Sequence, residues 1–164
     1  MKTDQYSNID LLIVDDEHDF RHQAVSYFKR IGFKVDQAED GEEALNISTN
    51  RKFDVVVLDI HMPGISGITV LEQLIKREPS LKVIMLTGGG TIEHAVESMK
   101  KGAYDFVTKP VKLEELQRLV VRASKAYELE KENRQLKAVI RRSAPDHHLV
   151  GQSEQMQEVV RLIQ

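Results

Sequence analysis

Five short apolar runs punctuate the chain, and the spacers between them decide what it can fold into. IDLLIV (9–14), FKVDQA (33–38), FDVVVLD (53–59), LKVIMLT (81–87) and YDFVTKP (104–110) are each six or seven residues long. Between them lie amphipathic stretches with apolar residues at helical spacing: EHDFRHQAVSYFKRIG, DGEEALNISTN, GITVLEQLIKREP and TIEHAVESMKKG. A further helix starts near Lys112 or Leu113. Runs such as VVVL, apolar at consecutive positions, read as strands buried on both faces, whereas FKVDQA alternates and has one more polar face. Strands separated by helix-length spacers pair in parallel, because each return crossover needs a helix. The expectation is an α/β domain with a five-stranded parallel sheet and helices on both faces.

In such a sheet, ligands bind beyond the carboxyl ends of the strands, and the residues at those ends are chemically coherent. Strand 1 runs into Asp15, Asp16 and Glu17; strand 3 ends on Asp59, before a Pro63-Gly64 turn; strand 4 ends on Thr87; strand 5 is followed by Lys109-Pro110. Each has an ordinary reading. Asp15 or Asp16 caps the next helix, Asp59 opens a turn, Thr87 is a strand-end hydroxyl and Lys109 is a surface cation. Together they place carboxylates, a hydroxyl and an ammonium in one crevice. Clustered aspartates repel and need a counter-charge. Hard oxygen donors suit Mg²⁺, so Asp15, Asp16 and Asp59 are its candidate ligands. Asp59 then serves as a carboxylate nucleophile toward phosphorus, with Lys109 and Thr87 on the phosphoryl oxygens. A carboxylate with a pKa near ~4 is already ionised at neutral pH, so no general base is expected. His18 and His61 are read as solvent-facing rather than as metal ligands. The glycine-rich TGGGT (87–91) lacks the following Lys-Ser/Thr of a nucleotide-binding P-loop.

LLIVDDE, VVVLDIHMPGISG, VIMLTG and GAYDFVTKP, in this order over residues 8–125, resemble the receiver domain of two-component response regulators. The resemblance implies a flavodoxin-like sheet of order 2-1-3-4-5 over residues 1–125 and phosphorylation of Asp59 by a sensor histidine kinase. Asp15 and Asp16 would be the acidic pair for Mg²⁺, with the backbone carbonyl of His61 completing the metal site. Lys109 would be the lysine of the phosphoryl pocket, and Thr87 and Phe106 the hydroxyl and aromatic switch residues. Gly88 stands where such domains usually carry a small residue, often alanine.

From Leu113 to Arg142 the chain has neither Pro nor Gly. Ala126, Leu129, Asn133, Leu136 and Ile140 recur at spacings of three and four, a heptad seam with Asn133 and Ile140 at a and Leu129 and Leu136 at d. This predicts a coiled-coil dimerisation linker over 126–144 and a homodimer. After SAPD (143–146), LVGQSEQMQEVVRLIQ (149–164) resembles the opening of the AAA+ domain of NtrC-type activators of sigma-54-dependent transcription, giving a third segment at 145–164. That resemblance implies control of AAA+ assembly, by repression or by promotion, and contact with sigma-54 RNA polymerase and DNA only through further domains. No G-x-x-x-x-G-K-[ST] occurs in the sequence, so no ATP hydrolysis by that route is expected and the chain is read as a regulator rather than an enzyme.

Composition closes several alternatives. The absence of cysteine excludes disulfides, thiol chemistry and cysteine-ligated zinc. A net charge of -3 gives no electrostatic case for direct nucleic-acid binding. The apolar runs are too short to span a bilayer and no signal peptide is visible, so a cytoplasmic protein with no membrane partner is expected. The remaining rivals are a stand-alone receiver acting by phosphorylation-dependent binding and an aspartyl-phosphate phosphatase. The latter usually carries a second Asp two residues after its nucleophile, a place taken here by His61.

Overall fold

The computed structural model describes residues 4–89 and 91–143. The elements are β1 (Asp10–Val14), α1 (His18–Arg30), β2 (Lys34–Ala38), α2 (Gly41–Asn50), β3 (Val55–Asp59), α3 (Gly67–Arg77), β4 (Lys82–Thr87), α4 (Ile92–Lys100), β5 (Asp105–Thr108) and α5 (Leu113–Ser143). All pairings are parallel, in the order β2-β1-β3-β4-β5. This is the expected flavodoxin-like doubly wound sheet, with its switch point between β1 and β3.

The continuous apolar runs are explained by two cores. Leu12, Val14, Val56, Leu58, Val83 and Met85 point to one face of the sheet, where they pack with Ala44 and Leu45 of α2 and Val70, Leu71 and Leu74 of α3. Leu11, Ile13, Val55, Val57, Ile84 and Leu86 point to the other, against Ala24, Val25 and Phe28 of α1 and Leu116, Val120 and Ala123 of α5. Successive strand residues alternate faces, so a strand covered on both sides needs apolar side chains at every position. β5 lies at the sheet edge and alternates between half-buried and exposed residues.

Helix starts follow their caps. Asp40 accepts from the Glu43 N–H, Ser66 from Thr69 and Thr91 from His94. Helix α1 differs: Glu17 occupies its cap position and makes no side-chain cap bond, so neither Asp15 nor Asp16 is spent as a helix cap.

The chain divides into two compact units, 1–130 and 131–164. The described part of the second unit, residues 131–143, is the last turns of α5, exposed throughout. The predicted seam residues are solvent-facing, Leu129 at 67%, Leu136 at 57% and Ile140 at 66% exposed. Residues 145–164, read as the start of a AAA+ domain, lie outside the described residues.

Candidate functional site

The β1–β3 pairing sets Val14 beside Leu58, and the β3–β4 pairing sets Asp59 beside Leu86. Asp15 and Asp59 therefore emerge from adjacent strand ends, with Thr87 one residue beyond Leu86. The β5 end is tied in by the Lys109 N–H, which donates to the Thr87 carbonyl at 2.7 Å.

Asp15 is fully buried and Asp59 is 5% exposed, while Asp16 faces solvent. One carboxylate oxygen from each lies within 4.8 Å of the others. Among the described residues, this is the cluster of three or more acidic, histidine or cysteine side chains close enough to share an ion. Lys109 Nζ sits 2.5 Å from Asp15 Oδ2, 3.6 Å from Asp59 Oδ2 and 3.5 Å from Glu17 Oε2. The ammonium also lies over the Phe20 ring, 4.7 Å from its centre. Lys109 is thus not the surface cation of the ordinary reading.

Backbone donors hold the two buried carboxylates in place. The Glu17 N–H donates to Asp15 Oδ1 at 2.9 Å, and the His61 N–H donates to Asp59 Oδ1 at 3.1 Å. Both are local turns in which an aspartate accepts from the residue two further on. The turn reading of Asp59 and the site reading are therefore compatible: the turn fixes one oxygen and leaves the other toward Lys109. Arg21 supports β1 from behind, donating to the Asp15 carbonyl at 2.6 Å and to Gln37 at 3.1 Å. Two glycines shape the loop over Asp59. Gly64 has φ +80°, and a Cβ on Gly67 would lie 2.1 Å from the Asp59 carbonyl oxygen. The start of α3 approaches the strand end this closely because residue 67 has no side chain.

The electrostatics correct one expectation. Burial, and then the neighbouring Asp15 charge, push the Asp59 carboxyl up to about 7, against the lowering effects of Lys109 and the His61 N–H. Asp59 is therefore not fully ionised at neutral pH in the metal-free chain. An ordinary, solvated carboxylate would be ionised there; the burial that raises this one is a property of the folded crevice. Burial opposes the Lys109 charge as well, but its hydrogen bond to Asp15 and the charges of Asp59, Asp15 and Glu17 win, and its pKa is raised. One ammonium against three carboxylates leaves the crevice short of positive charge. An all-oxygen donor set with that deficit fits a hard divalent cation such as Mg²⁺.

The Thr87 hydroxyl is buried without a hydrogen-bond partner, a feature native proteins rarely leave unexplained. Beside it lies an apolar groove of about 540 Å³ lined by Thr87, Ile92, Val96, Met99 and Phe106, among others. Phe106 is 40% exposed at its edge.

His18 and His61 face solvent as expected, but each has a second histidine beside it. His61 is exposed, and His18 is largely so. Yet His18 is paired with His22 at a spacing of four, their rings stacked 6.0 Å apart, and His61 with His94, 5.2 Å apart. The first pair was legible as H-x-x-x-H; the second joins distant segments and carried no sequence signal.

The response regulator receiver domain family matches residues 11–121. A putative NtrX-like response regulator from Rickettsia conorii is 40% identical over 136 residues, covering 82% of this chain and 29% of that protein. The DNA-binding transcriptional regulator NtrC of Klebsiella pneumoniae is 32% identical over 151 residues, covering 92% of this chain and 31% of the relative. The crystal structure of NtrX from Brucella abortus superposes with a TM-score of 0.77 at 33% identity, over 94% of this chain and 34% of that one. The chain thus spans about a third of the length of these relatives. Its sheet order, its strand-end residues and these matches lead to one assignment: the chain belongs to the response regulator receiver domain family, and its relatives are regulators of the NtrX and NtrC kind.

Proposed function

We propose that residues 1–125 form a phosphoacceptor domain in which Asp59 takes a phosphoryl group from a sensor histidine kinase. The observation that carries this reading is the grouping of Asp15, Asp16 and Asp59, with Lys109 against Asp15 and Asp59, beside a buried, partnerless Thr87 hydroxyl. A carboxylate oxygen of Asp59 attacks phosphorus, and the bond from phosphorus to the donor's imidazole nitrogen breaks, its electron pair staying with the imidazole. Lys109 balances charge on the phosphoryl oxygens, and the Thr87 hydroxyl donates to one of them. Asp15, Asp16, Asp59 and the His61 carbonyl would hold Mg²⁺. Once bound, that ion supplies the missing positive charge and holds Asp59 in its ionised, nucleophilic form.

The new phosphoryl group gives Thr87 the acceptor it lacks, and the groove between Thr87 and Phe106 gives the aromatic ring room to turn inward. Drawing Thr87 toward Asp59 biases the packing of α4 and β5, a population shift needing a few kcal/mol of differential interaction. The 126–144 stretch of α5 carries the output as a dimeric coil along Leu129, Asn133, Leu136 and Ile140, whose exposed apolar members favour a partner helix. Residues 145–164 begin a AAA+ domain whose assembly this homodimer controls in a longer, cytoplasmic activator of sigma-54-dependent transcription. RNA polymerase and DNA are then reached through that longer protein.

Amide spectra with Mg²⁺ and a beryllium fluoride mimic of the acyl phosphate test the switch. Shifts through residues 88–115 are expected; shifts confined to the crevice loops would refute it. For the linker, sedimentation should give a dimer, and a monomer at high concentration with and without the mimic would refute it.

A further inference from the structure

The His61–His94 pair is the feature that neither the phosphoryl chemistry nor the hydrophobic core uses. His61 lies on the loop after Asp59, and His94 lies in the first turn of α4, where its N–H is capped by Thr91. Their rings are 5.2 Å apart between centres, inclined at 66°. A zinc ion at about 2.1 Å from an imidazole nitrogen lies roughly 3.2 Å from that ring's centre, so two imidazoles sharing a tetrahedral ion have centres about 5 Å apart. The His18–His22 pair fits less well: its rings are stacked, 6.0 Å apart with planes only 4° from parallel, farther apart than two imidazoles sharing a tetrahedral ion.

We propose that His61 and His94 form a second metal site, for a borderline transition ion such as Zn²⁺, that clips the loop after Asp59 to α4. Donor chemistry separates it from the acidic crevice, since imidazole suits Zn²⁺, Ni²⁺ and Cu²⁺ whereas carboxylates suit Mg²⁺. Two imidazoles leave the other coordination positions to water, and His61 is exposed enough to admit them. Because the histidines sit on different elements, the ion stabilises the arrangement in which they already touch. Helix α4 also walls the groove beside Thr87 through Ile92, Val96 and Met99. The clip therefore opposes any repacking of α4, and by reciprocity that repacking weakens the clip. This regulatory consequence, unlike the site itself, rests on the switch proposed above.

The test is calorimetric titration of Zn²⁺ into the full chain in excess Mg²⁺, which keeps the crevice occupied. Parent, His61→Gln, His94→Gln, His18→Gln and Asp59→Asn chains are compared, each first checked for parental circular dichroism. His61→Gln keeps the backbone carbonyl, and both glutamines keep polarity and bulk. Affinity should fall at least tenfold in His61→Gln and His94→Gln and be unchanged in His18→Gln and Asp59→Asn. Parental affinity in His94→Gln would overturn the site, and would direct attention to His18 and His22 or to His147 and His148. Addition of the acyl-phosphate mimic to the parent should weaken Zn²⁺ binding several-fold. Unchanged binding there would overturn the clip as a regulator while leaving the two-histidine site standing, so the two failures are distinguishable.

Discussion

Replacing Asp59 by asparagine should make the metal-free chain more stable at pH 8, although it removes the proposed phosphoacceptor. The Asp59 carboxyl ordinarily titrates at 3.8 and is held at about 7 in the folded chain by burial and by Asp15. The folded state therefore binds more protons than the unfolded state between these values. Stability from this group is full below about pH 4, falls as pH rises, and is lost above about pH 7. At ~1.4 kcal/mol per unit the full shift amounts to about 4 kcal/mol. Because the Asp15 and Lys109 charges act on Asp59 in opposite directions, we expect about 2–4 kcal/mol. Asparagine has nearly the same shape and no charge, so it removes this cost at pH 8 and makes little difference at pH 4. The assay is urea unfolding of parent and Asp59→Asn in a chelator, from pH 4 to pH 8, followed by circular dichroism. The gain should rise with pH and shrink in saturating Mg²⁺, which stabilises the parent more. A gain independent of pH, or a variant less stable than the parent at pH 8, would refute the electrostatic account of the crevice.

Other perturbations give separate readings. Thr87→Val replaces a buried, partnerless hydroxyl with a methyl and should raise stability by about 1 kcal/mol, while abolishing the amide response of residues 88–115 to the mimic. Gly67→Ala would force a Cβ to 2.1 Å from the Asp59 carbonyl oxygen, and urea unfolding should register a loss of about 3 kcal/mol. Leu136→Asp places a charge in the heptad seam; sedimentation should show the dimer weakened at least tenfold, with thermal unfolding of the receiver unchanged.

The sheet was legible because strands buried on both faces carry apolar side chains at nearly every position, and the crossover helices keep a clear apolar stripe. Val55–Asp59, buried at every residue, is the plainest case. The crevice was legible because doubly wound sheets gather their strand ends, so Asp15, Asp59 and Thr87 could be brought together without coordinates. What could not be read depended on distances across the fold. The raised pKa of Asp59 follows from burial beside Asp15, the partnerless Thr87 hydroxyl from the packing around it, and the His61–His94 contact from the docking of α4. Residue 67 was visible as a glycine, but the 2.1 Å that a side chain there would leave is a property of the packed loop.

The most direct test of the account is the intact mass of the chain after incubation with Mg²⁺ and a small acyl-phosphate donor, with Asp59→Asn alongside. The account predicts a single phosphoryl increment on the parent and none on the variant. An increment on both, or on neither, would contradict the assignment of Asp59 as the phosphoacceptor.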